Sequence, residues 1–289
     1  MINKKITFEK ATTAHKEIIL IIFCCVLNTS NVQASFAKKV ETIYVYNDKG
    51  VSQKSLEQTI STFHKLLKNY PVKTINAQQV KEGSWSKNAI LFVMPGGFDL
   101  PYVKKLNGIG NEIIKNYVIN GGSFIGICAG SYYASSYVEF DKNGTLEILG
   151  NRELGFFKGN AVGPVLAPYD YKTQSGSRAA MIHTNLPNAK KIRVFYNGGG
   201  FFKNAENYPN TSVVATYNNK LPAIILINYS KGRVLLSGVH FEYDPYLLNS
   251  KNEYIKQIIS PLLKHNVSRE IFFYHLMRIV SEKINKTLS

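Results

Sequence analysis

The residues best equipped for chemistry are Cys128, in Gly126-Ile127-Cys128-Ala129-Gly130, and the pair His240 and Glu242 much later in the chain. Glycines two positions either side of a thiol let a strand turn sharply into a helix, so that the apical side chain projects into open space. The same pattern suits a buried structural cysteine, since free cysteine is among the most buried residue types. A cysteine nucleophile needs a base, and the base needs a third group to fix its tautomer. His240 and Glu242 are two apart at the end of a predicted strand, where residues i and i+2 share a side, so both are expected to face one pocket. His183, at another predicted strand end, competes for the role of base. His64 reads as a helix-surface residue, His15 lies in the leader, and His265 and His275 lie in the C-terminal tail.

Acyl-transfer chemistry also needs backbone donors for a developing oxyanion. The Ala129 amide, at the head of the helix after Cys128, is one, and an amide of Gly96 or Gly97 is the natural second. That helix start also favours the thiolate form of Cys128. Asn197-Gly198-Gly199-Gly200 lacks the spacing of a phosphate-binding loop, so no nucleotide is expected. Scattered histidines with one cysteine beyond the leader match no zinc spacing, and neither metal nor cofactor is expected. Tyr132, Tyr133, Phe201 and Phe202 offer aromatic surface near these loops, although aromatics so placed equally suit a core.

Elements of matching period surround these residues. Residues 40–46 alternate as a strand, and Leu56, Ile60, Phe63, Leu66 and Leu67 give the next helix one apolar face, with Ser52 or Ser55 as its cap. Residues 72–75 form a second strand, and Ala89-Ile90-Leu91-Phe92-Val93-Met94 is an unbroken apolar run suited to a strand buried on both faces. The turn-rich loop 95–101 follows at a strand's carboxyl end, where ligands of open α/β sheets collect. A helix with Ile109, Ile113, Ile114, Tyr117 and Val118 inward then leads to the strand before Cys128, with the next helix starting at Ser131 and running to Val138. The pattern then loosens through segments 145–149 and 156–165, which carry several Gly and Pro; strands are expected at 179–183 and 191–195, then an antiparallel run over 212–217, 223–228 and 233–237. Two helices close the chain, the second capped by Ser268. The pattern predicts an α/β fold: a doubly wound, mostly parallel sheet flanked by helices, with an antiparallel extension and a helical tail.

The chain has 289 residues and a formal net charge of +16. Residues 1–34 read as a secretory signal, with Lys4, Lys5, Lys10 and Lys16 before an apolar run at 18–27, and Val32-Gln33-Ala34 before the cleavage point. That run is about half the ~20 residues needed to span a bilayer, although an uncleaved anchor is the alternative. Removing four lysines with Glu9 and Glu17 takes the charge from +16 to about +14, and Cys128 becomes the single cysteine. The mature chain is thus expected outside the cytoplasm, periplasmic or secreted. A lone thiol there suggests reactivity. The lysines are scattered without a nucleic-acid module, so no nucleic-acid partner is expected, while loose attraction to an anionic membrane surface or envelope polymer is permitted. The expected organisation is a leader at 1–34, a domain at 35–248 and C-terminal helices packed on it at 249–289.

Pro95-Gly96-Gly97, Gly126-Ile127-Cys128-Ala129-Gly130 and His240-Phe241-Glu242 resemble the three signatures of the class I glutamine amidotransferase-like superfamily, in its order. Residues 94–102, 121–133 and 196–200 closely resemble the biotin-protein ligase N-terminal domain family. The resemblance implies a triad of Cys128, His240 and Glu242, an oxyanion hole of Gly97 and Ala129, and substrate contacts from Gly96, Phe98, Tyr132, Asn197, Gly198 and Gly199. Ala129 stands where DJ-1-like proteases carry histidine, and Phe241 replaces the usual proline of His-Pro-Glu. The biotin ligase loop Gly-Arg-Gly-Arg-x-Gly does not occur. The implied activity is a cysteine amidase or acyl-transfer hydrolase on a small amide or peptide-like substrate, without biotinylation or a synthetase domain. A non-catalytic ligand-binding or thiol-sensing module is the alternative.

Overall fold

The protein is described by a computed structural model over residues 40–170 and 172–288, so the expected leader at 1–34 lies outside the described residues. Strand β1 (Thr42–Tyr46) leads to helix α1 (Gln53–Leu66), β2 (Val72–Ile75), α2 (Ala77–Glu82) and β3 (Ala89–Met94). Next come α3 (Asp99–Leu106), α4 (Ile109–Ile119), β4 (Ser123–Ile127) and α5 (Ala129–Tyr133). Strands β5 (Ser135–Phe140), β6 (Ile148–Asn151), β7 (Phe157–Gly163), β8 (Arg178–Thr184), β9 (Lys191–Tyr196) and β10 (Phe201–Phe202) follow. The hairpins of β11 (Thr211–Tyr217), β12 (Pro222–Tyr229) and β13 (Gly232–Ser237) precede helices α6 (Glu253–Leu263), α7 (Asn266–Val280) and α8 (Glu282–Leu288).

Nine strands form one sheet in the order β2-β1-β3-β4-β13-β12-β11-β8-β9. The first five are mutually parallel and the pairings from β13 to β9 are antiparallel, so the sheet is half parallel, not mostly parallel. The unbroken apolar run of β3 is buried at every position, as a strand covered on both faces requires. Alternate residues sort to opposite faces. Leu91, Val93, Ile125 and Ile127 pack with Phe63 of α1 and Phe273 of α7, whereas Phe92, Met94 and Phe124 pack with Tyr102 of α3 and Tyr117 of α4. A second sheet, β10-β7-β5-β6, is not expected from the chain's pattern.

Several expectations are corrected. The helix after Cys128 starts at Ala129 and stops at Tyr133, because Ser131 and Tyr132 amides already close a turn on the Cys128 carbonyl and Ser135–Phe140 pairs with β7. Loop 95–101 gives way to α3 at Asp99. Ile109 is 62% exposed, since the buried face of α4 runs through Gly110, Ile114, Tyr117 and Val118, and Ile109 lies about 100° round the helix from Gly110. Ser268 lies inside α7, whose N-cap position is His265. Ser52 occupies the N-cap position of α1 without a side-chain capping bond. No helix among the described residues is long and apolar enough to cross a membrane.

Candidate active site

Parallel pairing brings three chain segments to one place. Met94 of β3 lies opposite Gly126, and Ser237 of β13 opposite Ile127, so the segments leaving β3, β4 and β13 emerge side by side. The Cys128 amide donates to the Ser237 carbonyl at 2.8 Å, continuing the ladder up to the turn. Cys128 itself has φ 51° and ψ −110°, a backbone conformation that a non-glycine residue adopts only under constraint. Gly126 and Gly130 make the turn possible. A Cβ on Gly130 would lie 2.2 Å from the Met94 carbonyl oxygen, and one on Gly126 would lie 2.6 Å from that of Gly130.

His240 and Glu242 are both buried and meet through Nδ1 and Oε1 at 2.8 Å. Strand alternation is not the cause, because β13 ends at Ser237. His240 is anchored instead by a single bridge, its amide donating to the Phe195 carbonyl at 2.8 Å, and the chain then turns. Helices hold that turn from behind. Thr62 of α1 donates to the Glu242 carbonyl at 2.6 Å and Arg269 of α7 to the Phe241 carbonyl at 3.0 Å. Among the described residues Glu242 Oε2 has no hydrogen-bond partner. The imidazole is flanked by the Phe195 and Tyr243 rings, with centroids 5.6 and 4.4 Å away.

The ring is held protonated. Burial, the largest single influence, favours the neutral form, but the Glu242 carboxylate, hydrogen bonds to Cys128 and Glu242, and charge on Cys128 outweigh it. His240 is raised from 6.5 to about 10. The Cys128 thiol is buried and reaches the Asn197 carbonyl at 3.7 Å. A protonated imidazole held between the Cys128 sulfur and a carboxylate can give its proton to a leaving group and regain one from water.

The two candidate amides of the glycine loop separate clearly. The Gly96 amide donates to Ser55 Oγ at 2.9 Å. Gly97 pairs with Val51 in an antiparallel bridge whose hydrogen bonds are made by the neighbours, Phe98 to Gly50 at 2.8 Å and Ser52 to Gly96 at 3.0 Å. In such a pair the central residue's own amide points away from its partner. Gly97 and Ala129 both line the cavity that holds Cys128 and His240, a space of about 260 Å³.

Gly96, Phe98, Tyr132, Asn197 and Gly198 line the same cavity. Gly199, expected as a substrate contact, is not among the residues that line it. A Cβ there would lie 1.6 Å from the Gly238 carbonyl oxygen, so Gly199 allows two backbones to meet. The Tyr132 hydroxyl donates to the Gly198 carbonyl at 3.2 Å, which leaves its ring as the face presented to the cavity. Tyr133 is buried and bonds Asn111, Phe202 packs on Phe157, and Phe201 is absent from the cavity wall. His183 lies outside the cavity, with Nε2 2.8 Å from Asn218 Oδ1.

Other wall residues carry no expectation from the sequence. Val138, Phe140 and Ile148 come from the second sheet, and Tyr243 and Phe195 flank the imidazole. Asp99, in the first turn of α3, also lines the cavity and is tied to Arg152 at 2.6 Å. Tyr243 could be flagged as the neighbour of Glu242; the pairing of Asp99 with Arg152, 53 positions away, has no local signal. Among the described residues no cluster of histidine, cysteine or carboxylate side chains is suited to a metal ion.

The chain is 35% identical over 260 residues to an uncharacterized protein of Chlamydia muridarum, a match covering 86% of this chain and 99% of that protein. It is 32% identical over 237 residues to biotin–protein ligase of Schizosaccharomyces pombe, covering 77% of this chain but only 37% of the ligase. Similar solved structures include a Thermoplasma acidophilum protein described as one subunit of GMP synthase, at 12% identity and TM-score 0.44 over 78% of this chain and 96% of that one. A ThuA-like protein from Bacteroides uniformis matches at 12% identity and TM-score 0.45, over 75% of this chain and 88% of that one. The family model described as biotin-protein ligase, N terminal, matches residues 41–288. The chain belongs to the biotin-protein ligase N-terminal family.

Proposed function

We propose that this protein is a cysteine-nucleophile amide hydrolase of the class I glutamine amidotransferase-like type. The observation that carries the reading is the buried contact of His240 Nδ1 with Glu242 Oε1 at 2.8 Å, beside a cysteine at a strained turn. With its proton already resting on His240 Nε2, the Cys128 sulfur attacks the amide carbon as the thiolate; the oxyanion accepts hydrogen bonds from the Gly97 and Ala129 amides. The C–N bond breaks as the amine takes the proton from His240, leaving a thioester. Water then gives a proton to the neutral His240 and adds to the thioester, and the C–S bond breaks to release the carboxylic acid and restore the Cys128 thiolate beside protonated His240. Glu242 holds the imidazole with Nε2 toward the thiol and stabilises its charge.

A cavity of about 260 Å³ suits a small amide or one residue of a peptide-like chain. Because this chain spans 37% of the fission yeast ligase, the ligase's activity is not carried over to it, and no biotinylation is proposed. The test is alkylation of Cys128 by iodoacetamide as a function of pH in the full chain and in His240→Ala. A thiolate titrating well below ~8.5 that moves upward in the variant supports the reading. Ordinary thiol behaviour in both proteins would remove its basis.

A further inference from the structure

Most polar side chains in the wall of the Cys128 cavity are spent on the protein itself. The Gly96 amide donates to Ser55 Oγ at 2.9 Å, and the Tyr243 hydroxyl is hydrogen-bonded to the same serine. Asn197 Nδ2 donates to Gln174 Oε1 at 3.2 Å, the Tyr132 hydroxyl to the Gly198 carbonyl at 3.2 Å, and Arg152 Nε to Asp99 Oδ2 at 2.6 Å. Arg152 keeps one buried donor, Nη2, without a partner among the described residues, but Arg152 is not part of the wall. Three groups of the wall stay free among the described residues. They are Asn197 Oδ1, on the residue whose carbonyl meets the Cys128 thiol, and the side chains of Ser52 and Lys54 at the head of α1, beside the glycine loop. A few such groups serve to orient a ligand, while the apolar part of a wall supplies the contact area.

That apolar part is built by the second sheet. Phe140 of β5 pairs with Ile148 of β6, and Val138 pairs with Gly150, so strand alternation puts Val138, Phe140 and Ile148 on one face. All three line the cavity. The Phe140 ring packs edge-on against Tyr132, with centroids 5.7 Å apart, and against Tyr169 at 5.8 Å, so three rings of the wall stand in a row. Val138 is buried by the fold, but Phe140 and Ile148 are only partly covered. An apolar surface left open toward a cavity favours an apolar occupant, each methylene taken out of water being worth about fourfold in affinity. A charged group in the same place would lose its water, and these side chains offer it nothing in return.

We propose that the face of β5 and β6 carrying Val138, Phe140 and Ile148 is a subsite for an apolar group of the substrate. The cavity then takes amides bearing an aliphatic or aromatic substituent in preference to charged ones such as free glutamine. Its volume of about 260 Å³ corresponds to roughly eight or nine water-sized groups at ~30 Å³ each, enough for the amide and a short chain or one ring. The proposal rests on reading the cavity as the substrate site, but it concerns recognition and not the thiol chemistry. Its experiment is therefore equilibrium binding, which needs no turnover.

Three primary amides serve as probes: hexanamide, its analogue adipamic acid, which ends in a carboxylate, and L-glutamine. Their dissociation constants are measured by ligand-observed NMR on the full chain carrying Cys128→Ala, which has no thiol to turn them over. The expected result is at least tenfold tighter binding of hexanamide than of either charged probe, a gain that about two buried methylenes supply. In the same background Ile148→Asn and Phe140→Ala should each lower that ratio at least threefold. Leu149→Asn is the control: Leu149 is 41% exposed, alternates with Ile148 to the other face of β6 and does not line the cavity, so the ratio should stay. Thermal melts establish that each variant is folded, and should Phe140→Ala or Ile148→Asn fail to fold, the other decides. Equal affinities, preference for a charged probe, a ratio that survives in a folded cavity-facing variant, or an equal loss in Leu149→Asn overturns the proposal. Failure of the His240→Ala alkylation test with the hexanamide preference intact would remove the hydrolase and leave the apolar subsite.

Discussion

The imidazole of His240 and the carboxylate of Glu242 meet at 2.8 Å inside a turn, with a backbone bridge to Phe195 on one side and the Thr62 hydroxyl and Arg269 guanidinium on the other. The pair is built by three elements far apart in the chain, and its contact faces the thiol of Cys128. Glu242→Gln removes the charge that sustains the imidazolium and can reverse the hydrogen bond, since an amide offers a donor as well as an acceptor. The expected outcome is a fall of about 10²–10⁴ in any Cys128-dependent turnover, by analogy with the loss when a base's orienting carboxylate is neutralised. Iodoacetamide alkylation at pH 7 should slow together with it.

The same pair predicts a pH dependence of stability. His240 is raised from 6.5 to about 10, so its contribution is fully present below 6.5 and is lost as pH rises through about 10. Above its folded value the ring is neutral in both states and contributes nothing further. Denaturant unfolding of wild type and His240→Gln between pH 6.5 and 10 should show a difference that shrinks steadily toward high pH. A constant difference would contradict the ion-pair assignment.

Two adjacent glycines should behave differently. Gly97 has φ +150°, and a Cβ there would lie 2.0 Å from the Gly50 carbonyl oxygen, so Gly97→Ala collides with backbone. A loss on the order of 3 kcal/mol is expected, visible as a lowered Tm. A Cβ on Gly96 would meet only side chains, His240 Cε1 at 2.8 Å, Ser55 Oγ at 3.1 Å and Cys128 Cβ at 3.4 Å. Gly96→Ala should therefore cost less than Gly97→Ala, about 1–2 kcal/mol, yet displace the imidazole and abolish the pH-dependent reactivity of Cys128. Equal effects on Tm would contradict this contrast.

What can be read from the chain follows from local rules. The elbow glycines, the apolar run of β3 and the His-x-Glu spacing each carry their geometry within a few residues, and the structure brings Cys128 of the elbow, the glycine loop after β3 and His240 to one cavity. Strand alternation predicts the meeting of His240 and Glu242 for the wrong reason, however, because the structure uses a clamped turn. The second sheet is hidden because β5 pairs in parallel with β7 across a connection through β6, a relation that no short window contains. Asp99 is inconspicuous because its loop reads as simple turn chemistry, and its partner Arg152 lies just beyond a strand of the other sheet. Gly199 is ambiguous for the converse reason: a glycine that lets two backbones touch looks, in sequence, like one that lets a ligand approach.

Arg269 offers the last test, because it stands behind the site without lining the cavity. Its side chain is 1% exposed, donates from Nε to Asn266 Oδ1 at 2.9 Å and from Nη1 to the Phe241 carbonyl at 3.0 Å, and is the largest fully buried side chain among the described residues. Burial pushes its pKa down, while Asp244, Glu270 and Glu242 act to hold the charge. Arg269→Met keeps volume and removes these two bonds and a third, from Nη2 to Glu270 Oε1 at 3.4 Å, leaving the Phe241 carbonyl without its donor. Loss of one such charged hydrogen bond costs about 1.5–3 kcal/mol. If Arg269 also positions the turn, alkylation of Cys128 should lose its dependence on His240 in conditions where circular dichroism still reports a folded protein. Arg269→Lys, which retains the charge but not the fork, should recover stability more than reactivity. Recovery of both in equal measure would mean that Arg269 supports the fold alone.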